Sequence, residues 1–274
     1  MKSPIHVTVL GPTGRLGSAI CRAVLDSPDF RLAGAVVRSE SPASGEDIGV
    51  WLGGDPVGCR AETALEHAVE HADLVIDASL PSLTVAAAER LASLGRPALV
   101  TGVTGFNREQ SARLDACLDR LPILMADNFS LGVAVTEALI HEAARLPAEE
   151  WDIEIHETHH KRKADAPSGT ALMLARAAAR ARGETLEDIA TWSREGTTGQ
   201  RKPGTIGFAV NRGGSVIGEH SVRFLAELEE ITISHRALDR SIFARGALAA
   251  ARWMTNDTTG RGPGRYSMQD VIKG

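Results

Sequence analysis

Between Glu157 and Thr170 the chain reads Glu-Thr-His-His-Lys-Arg-Lys-Ala-Asp-Ala-Pro-Ser-Gly-Thr, its densest run of reactive side chains. Two imidazoles, His159 and His160, stand beside three cations, and the Pro-Ser-Gly-Thr turn has the form of a helix start. The first N–H groups of a helix lack intrahelical acceptors, so those of Gly169 and Thr170 suit a substrate carboxylate, with Lys163 or His160 adding charge. Such electrostatics ask for a small polyanion. Hydride transfer to a conjugated C=N or C=C system leaves electron density that a positioned acid must protonate or stabilise. A histidine titrating near neutrality, or a lysine with a lowered pKa beside other cations, can do that. Two blander readings stand beside this one. His156, His159, His160 and Asp165 are zinc-binding residue types, but they lack cysteine partners or an HExxH helix, and a solvated basic loop with incidental histidines would need no ligand at all.

A second feature lies near the start. Gly11-Pro12-Thr13-Gly14-Arg15-Leu16-Gly17 follows an apolar run directly and opens a helical pattern through Cys21 to Leu25. Glycines let the backbone turn tightly and approach a pyrophosphate, whose charge then rests on the N–H groups and positive dipole end of the helix. The spacing is GxxGxxG rather than GxGxxG, and a simple strand-to-helix turn can carry it too. About 20 residues beyond such a loop, NAD enzymes place a carboxylate on the ribose hydroxyls. Here the second strand ends Val36-Val37-Arg38, with no acid at its tip. Arg38, helped by Arg15, can pair with a 2′-phosphate, so NADPH is expected in preference to NADH. The alternative is that Arg38 is a solvated loop residue and both cofactors bind alike. Two later loops, Thr101-Gly102-Val103-Thr104-Gly105 and Asp127-Asn128-Phe129-Ser130, also follow strand patterns. Thr104, Asn128 and Phe129 have the chemistry to hold a nicotinamide amide and ring, whereas Asp127 has no evident use there and is expected in solvent.

These loops need strands to carry them. Ile5 to Leu10, Leu32 to Val37, Leu74 to Ala78, Pro97 to Thr101 and Ile123 to Ala126 each read as a buried strand, with amphipathic helices between several of them. Pro81 opens a helix to Leu94, Gly95 closes it, and Asn107 caps another before Glu109 to Leu118. Strands separated by helices imply right-handed crossovers and an α/β, Rossmann-like, doubly wound parallel sheet. Past Asn128 the pattern changes. A helix over Leu131 to Arg145 leads to an alternating strand at Trp151 to Thr158, then a helix at Thr170 to Arg182. Three strands follow, Thr205 to Val210, Val216 to Leu225 and Glu230 to His235, with a hairpin expected at Arg212-Gly213-Gly214. This second α+β domain should hold an open, largely antiparallel sheet. A last helix, Leu238 to Met254, is expected to pack back on the first domain, ahead of a flexible loop over Thr255 to Arg265.

With 274 residues, 43% of them apolar and 24% charged, the chain has enough aliphatic material for two packed domains, which excludes wholesale disorder. A net charge of -5 supplies no basic field for nucleic acid or anionic membrane. The short Lys161-Arg162-Lys163 run is better explained by a carboxylated substrate. Cys21, Cys59 and Cys117 are odd in number and far apart, which argues against a disulfide framework and fits a reducing cytoplasm. No stretch approaches the ~20 apolar residues of a membrane span, and no signal peptide is read. There is no GxSxG elbow to suggest a serine hydrolase.

The motifs resemble those of the dihydrodipicolinate reductases, also called 4-hydroxy-tetrahydrodipicolinate reductases, over Val9 to about Val271. The most specific piece is Glu157-x-His159-His160-x-x-Lys163-x-Asp165-Ala166-Pro167-Ser168-Gly169-Thr170-Ala171. GPTGRLG at 11–17, TGVTGF at 101–106, NFSLGV at 128–133, SREG at 193–196, PGTIGFAVNRGG at 203–214 and GEHSV at 218–222 support it. By that resemblance His159 would donate or accept a proton and Lys163 would donate one, while His160, Gly169 and Thr170 would bind a small dicarboxylate. The cofactor, NADPH or less favourably NADH, would contact Gly11, Pro12, Thr13, Gly14, Arg15, Leu16, Arg38, Gly102, Val103, Thr104, Ala126, Asp127, Asn128 and Phe129, with Arg240 on the same side. No metal is implied. Residues 1–129 would bind the dinucleotide, 130–239 would bind substrate and build a homotetramer, and 240–274 would return to the first domain. Val37, Leu80 and Asp127 depart from the family pattern, Val37 standing where dual-cofactor members carry an acid. Two other functions remain open: another two-domain dehydrogenase acting on a sugar or amino acid, and a non-catalytic NADP-binding sensor.

Overall fold

A computed structural model describes residues 3–256 and 261–274, which form two compact units. The first comprises the chain up to Ser130 together with Ser241 onward, and the second spans Leu131–Arg240. In chain order, the first unit begins with β1 (Ile5–Leu10), α1 (Arg15–Leu25), β2 (Phe30–Val36), α2 (Ile48–Trp51), β3 (Ala61–Glu62) and α3 (Leu65–Ala68). It continues with β4 (Leu74–Asp77), α4 (Pro81–Leu94), β5 (Ala98–Thr101), α5 (Arg108–Asp115) and β6 (Pro122–Met125). The second unit holds α6 (Leu131–Ala143), β7 (Asp152–His159), α7 (Gly169–Ala181), α8 (Leu186–Ile189), β8 (Ala190–Thr191), β9 (Ile206–Arg212), β10 (Gly218–Leu225) and β11 (Glu230–Ala237). Then α9 (Ser241–Met254), β12 (Gly264–Tyr266) and α10 (Met268–Lys273) complete the first unit.

The first sheet is seven-stranded in the order β12-β6-β5-β4-β1-β2-β3, and every ladder in it is parallel. It is the doubly wound arrangement expected, reversing direction between β1 and β4, and ligands of such sheets bind outside the carboxyl ends of the strands at that reversal. Its strands read as unbroken apolar runs because both faces are covered: Val7, Val9 and Leu10 are fully buried, as are Leu74 to Ile76. The chain termini of α4 and α5 follow the sequence punctuation. Pro81 opens α4, Gly95 closes it in the left-handed region (φ 68°), and Asn107 caps α5 in a reciprocal box with Gln110. The Ala-rich α9 lies against α1, and a Cβ at Gly246 would come within 1.8 Å of the Phe129 carbonyl oxygen, so only glycine permits that approach.

The second sheet, in the order β11-β10-β7-β9-β8, is the open, largely antiparallel sheet expected, but its connections correct one expectation. It is mixed: β10 runs antiparallel to β7 and β11, but β9 is parallel to both β7 and β8. The hairpin expected at Arg212-Gly213-Gly214 does not form, because β7 lies between β9 and β10. The glycine pair instead ties to the end of β7, with the Gly213 N–H donating to the His159 carbonyl (2.9 Å) and the Lys161 N–H to that of Gly214 (3.3 Å). Ile153, Ile155, Val222 and Phe224 of this sheet bury against Leu174, Ala175 and Ala178 of α7. The last helix begins at Ser241 rather than Leu238. Of the loop expected over Thr255 to Arg265, residues 257–260 lie outside the described residues, and Gly264 and Arg265 belong to β12, which extends the first sheet beside β6.

Candidate functional site

In the first unit the glycine loop joins β1 to α1. Gly11 turns in the left-handed region (φ 75°), and a Cβ there would lie 2.8 Å from the Ala78 carbonyl oxygen. A Cβ at Gly17 would lie 2.0 Å from the Gly11 carbonyl oxygen, so helix and loop touch backbone to backbone. Gly14 caps α1 without a side-chain hydrogen bond, and the first turn carries no acid. A helix start in that condition offers its N–H groups and dipole to an anion. Beside it runs a cleft of about 570 Å³ lined by Gly11, Thr13, Gly14, Val37, Arg38 and Leu80. Thr13, Gly14 and Arg15 are exposed, Leu16 is half-buried and Pro12 is buried. The cradle and cleft fit a dinucleotide.

Arg38 projects into solvent and meets Glu40, Nε to Oε1 3.5 Å. Behind the cleft Asp77, fully buried at the end of β4, accepts from the hydroxyls of Ser79 (2.5 Å), Thr84 (2.6 Å) and Thr101 (2.9 Å). Burial raises its pKa against the pull of those donors. Through Thr101, whose Oγ1 accepts from the Val103 N–H (3.1 Å), this carboxyl sets the start of the Gly102–Thr104 loop. Gly102 sits under the Phe129 ring, where a Cβ would come within 2.4 Å of it. Phe129 is only 2% exposed, which leaves almost no ring face open. Ala126 is buried, Asn128 is half-buried and takes the Ser130 N–H on its side-chain oxygen (2.9 Å), and Thr104 and Asp127 are exposed.

In the second unit β7 delivers its alternation to one point. Ile153 and Ile155 fill the core, and two and four residues on, Glu157 and His159 emerge on the same face at the strand's end. Glu157 is 1% exposed yet fully satisfied. Its Oε2 lies within hydrogen-bond distance of His159 Nδ1 (2.5 Å), and it accepts from both Arg212 terminal nitrogens (2.8 and 2.9 Å) and from the Ser168 N–H (2.9 Å). Burial works to raise its pKa, but the hydrogen bonds from Arg212, His159 and Ser168 prevail and hold it below the ordinary glutamate range. His159 is pushed down by burial, although Glu157 pulls it up.

His220 of β10 stands edge-on to His159, ring centres 5.1 Å apart. Burial, with His159 adding to it, lowers its pKa to about 4. Its Nε2 shares a hydrogen bond with Ser168 Oγ (3.0 Å), and Ser168 caps α7 by accepting the Ala171 N–H (3.1 Å). Lys163 pairs with Asp165 at 2.9 Å and holds that carboxylate low. His160 Nδ1 is shielded and has no hydrogen-bond partner. At the α7 start a Cβ on Gly169 would meet nothing within 4 Å, so open space lies in front of the first turn that Gly169 and Thr170 form.

One segment thus gathers His159, His160, Lys163, Gly169 and Thr170. His156 points to the opposite face of β7 and is exposed, and no metal-binding group of three is found among the described residues. Arg240 is exposed, the last residue of the second unit. Sequence reasoning did not single out Arg212 or His220 because both arrive by strand pairing: Arg212 sits opposite His159 and His220 opposite Glu157. A Glu two residues before a His on a strand was the only local signal.

A doubly wound sheet with a glycine cradle, joined to a unit bearing a basic, histidine-rich helix start, defines a nicotinamide-type oxidoreductase. The chain belongs to the dihydrodipicolinate reductase family: residues 5–129 match the model of its N-terminus and residues 132–272 that of its C-terminus. It is 47% identical to a 4-hydroxy-tetrahydrodipicolinate reductase of Caulobacter vibrioides, covering 99% of this chain and 98% of that one. It is 45% identical to the protein of that name from Parvibaculum lavamentivorans, covering 99% of each. Among solved structures, a dipicolinate-bound dihydrodipicolinate reductase from Paenisporosarcina sp. TG-14 shares the fold with a TM-score of 0.75 at 20% identity, over 98% of this chain and 99% of that one.

Proposed function

We propose that this chain reduces 4-hydroxy-tetrahydrodipicolinate to tetrahydrodipicolinate, the reductive step toward diaminopimelate and lysine, using NADPH in preference to NADH. The observation that carries the reading is the set of acid-base and carboxylate-binding groups at the β7 end, held by a satisfied buried carboxylate, in a chain that matches the family throughout. Residues 11–16, 102–104, 126–129 and Arg240 hold the dinucleotide, and Arg38 holds a 2′-phosphate. The bound nicotinamide supplies the hydride. His160, Gly169 and Thr170 hold the dicarboxylate, with first-turn N–H groups and an imidazole in place of water. His159 and Lys163 supply and accept protons as the 4-hydroxyl leaves as water and as the electron density that hydride addition leaves on the conjugated system is protonated.

The small dicarboxylate is the partner expected, in the cytoplasm, without nucleic acid or membrane. Cys21, Cys59 and Cys117 are free, and no described helix is long and apolar enough to cross a membrane. A homotetramer built on the second unit is supported by the apolar side chains that unit exposes, with Leu228 95%, Leu238 80% and Trp192 49% exposed. Light scattering then gives four times 29.1 kDa.

The test follows oxidation of NADPH and NADH at 340 nm, with substrate made in place from pyruvate and aspartate semialdehyde by the preceding synthase. Substrate-dependent oxidation faster with NADPH is expected, and equal rates would remove the role given to Arg38. Lys163→Ala and His159→Gln should each lower kcat by about 10²-fold or more. An unchanged kcat would end the acid-base assignment.

A further inference from the structure

Resting on the reading of His159 as an acid-base group, we infer that Glu157 is its positioning residue, holding the imidazole protonated on Nδ1 so that Nε2 is the atom that exchanges protons. The geometry leaves little choice. The carboxylate lies 2.5 Å from Nδ1, and an ionised carboxylate can only accept. Its remaining capacity is filled by the Arg212 fork and the Ser168 N–H, so it cannot rotate away without orphaning a guanidinium and a buried amide. Nε2 faces the one position on β10 with no side chain, since a Cβ on Gly218 would sit 3.0 Å from it.

Every charged or titratable group around the ring fits this arrangement. From β9, Arg212 neutralises Glu157, so the carboxylate stays ionised although buried. From β10, His220 is neutral at ordinary pH and adds no positive charge at 5.1 Å. From the loop after β7, His160 follows His159 directly, and Lys163 is paired with Asp165. Behind His220, His235 sits opposite it on β11 and is likewise lowered by burial. Glu157 is therefore the anion in direct contact with His159, and the one that fixes both its tautomer and its basicity.

Histidine-directed ¹⁵N spectra of the intact chain read the tautomer without turnover, with His159 assigned by the signal lost in His159→Gln. A neutral ring protonated on Nδ1 is expected, and one protonated on Nε2 overturns the proposal. In kinetics, Glu157→Gln should lower kcat by about 10- to 100-fold with KM for the dicarboxylate nearly unchanged. Because the lost charge favoured the imidazolium, the limb of the pH profile that belongs to His159 should move to lower pH. Glu157→Asp, which keeps the charge, should return that limb toward its original place.

A purely structural Glu157 would behave otherwise. It would raise KM and lower the melting temperature with the limb unmoved, and its effect would multiply with that of His159→Gln. The double variant should instead lose no more than about twofold beyond His159→Gln alone, the scatter of additive effects. Multiplication overturns the proposal. If His159→Gln keeps the full rate, the acid-base reading fails, while the tautomer still decides what Glu157 does. Should Glu157→Gln not fold, the wild-type spectrum and Glu157→Asp decide.

Discussion

A buried imidazole is tolerated while it is neutral, and His220 makes the consequence measurable. Its pKa in the fold lies near 4 against 6.5 for a free side chain, so between those values the unfolded chain binds a proton that the native one refuses. The contribution is complete above pH 6.5 and lost as pH falls toward 4, by roughly 3 kcal/mol at full protonation of the unfolded state. Thermal melts of the wild type should therefore fall more steeply over that window than those of His220→Gln, and parallel curves would contradict the burial argument. Ser168 couples this ring to a helix start. Ser168→Ala should cost about 1 kcal/mol as a lost cap, read as a lower urea midpoint. If Arg38 binds a 2′-phosphate as proposed, Glu40, 3.5 Å away, competes for its guanidinium. Exposed pairs are weak, so Glu40→Gln should lower KM for NADPH only a few-fold and leave KM for NADH alone. A larger change for NADH would reassign Glu40 to the ribose.

Two helix starts made by glycines behave in opposite ways. At α1 the glycine is structural: a Cβ on Gly17 would overlap the Gly11 carbonyl at 2.0 Å, so loop and helix must separate. Gly17→Ala should cost about 3 kcal/mol or more and weaken both cofactors together. At α7 the glycine keeps space open, since nothing lies within 4 Å of a Cβ on Gly169. Gly169→Ala should leave the melting temperature within the ~1 kcal/mol that helix propensity allows, while raising KM for the dicarboxylate. If Gly169→Ala binds substrate normally, the α7 start is not a carboxylate site. The strands between these helices were readable because burial on both faces leaves a simple apolar run. Short β3, β8 and β12 carry two or three residues each, too few for a period to register.

The first unit is not contiguous in sequence, and this governs the behaviour of the whole chain. Ala244, Ala247, Leu248, Ala251 and Met254 of α9 are buried in the unit that begins at the N-terminus, though some 240 residues separate them from β1. A chain ending at Arg240 would expose the α1 surface that α9 covers, and lose β12 from the sheet edge. It should bind a hydrophobic dye and lose the part of the cooperative melt that belongs to the first unit. A cooperative melt near that of the full chain would show that the N-terminal segment folds without α9.

Adjacent residues set the local elements and the chemistry they carry. Glycine spacing after an apolar run, the Pro81, Gly95 and Asn107 punctuation, and the His-His-Lys segment before a Ser-Gly-Thr helix start are all properties of neighbouring residues, set by propensity, capping and period. Which of these lie side by side follows from packing across the fold. Gly213 and Gly214 read as a hairpin, yet β7 takes the place between β9 and β10, where both its backbone edges are paired and its apolar row joins theirs against α7. That insertion sets Arg212 opposite His159 and His220 opposite Glu157, partners 53 and 63 residues apart. Pairing register across a sheet depends on the packing of the whole unit, and no run of adjacent residues records it.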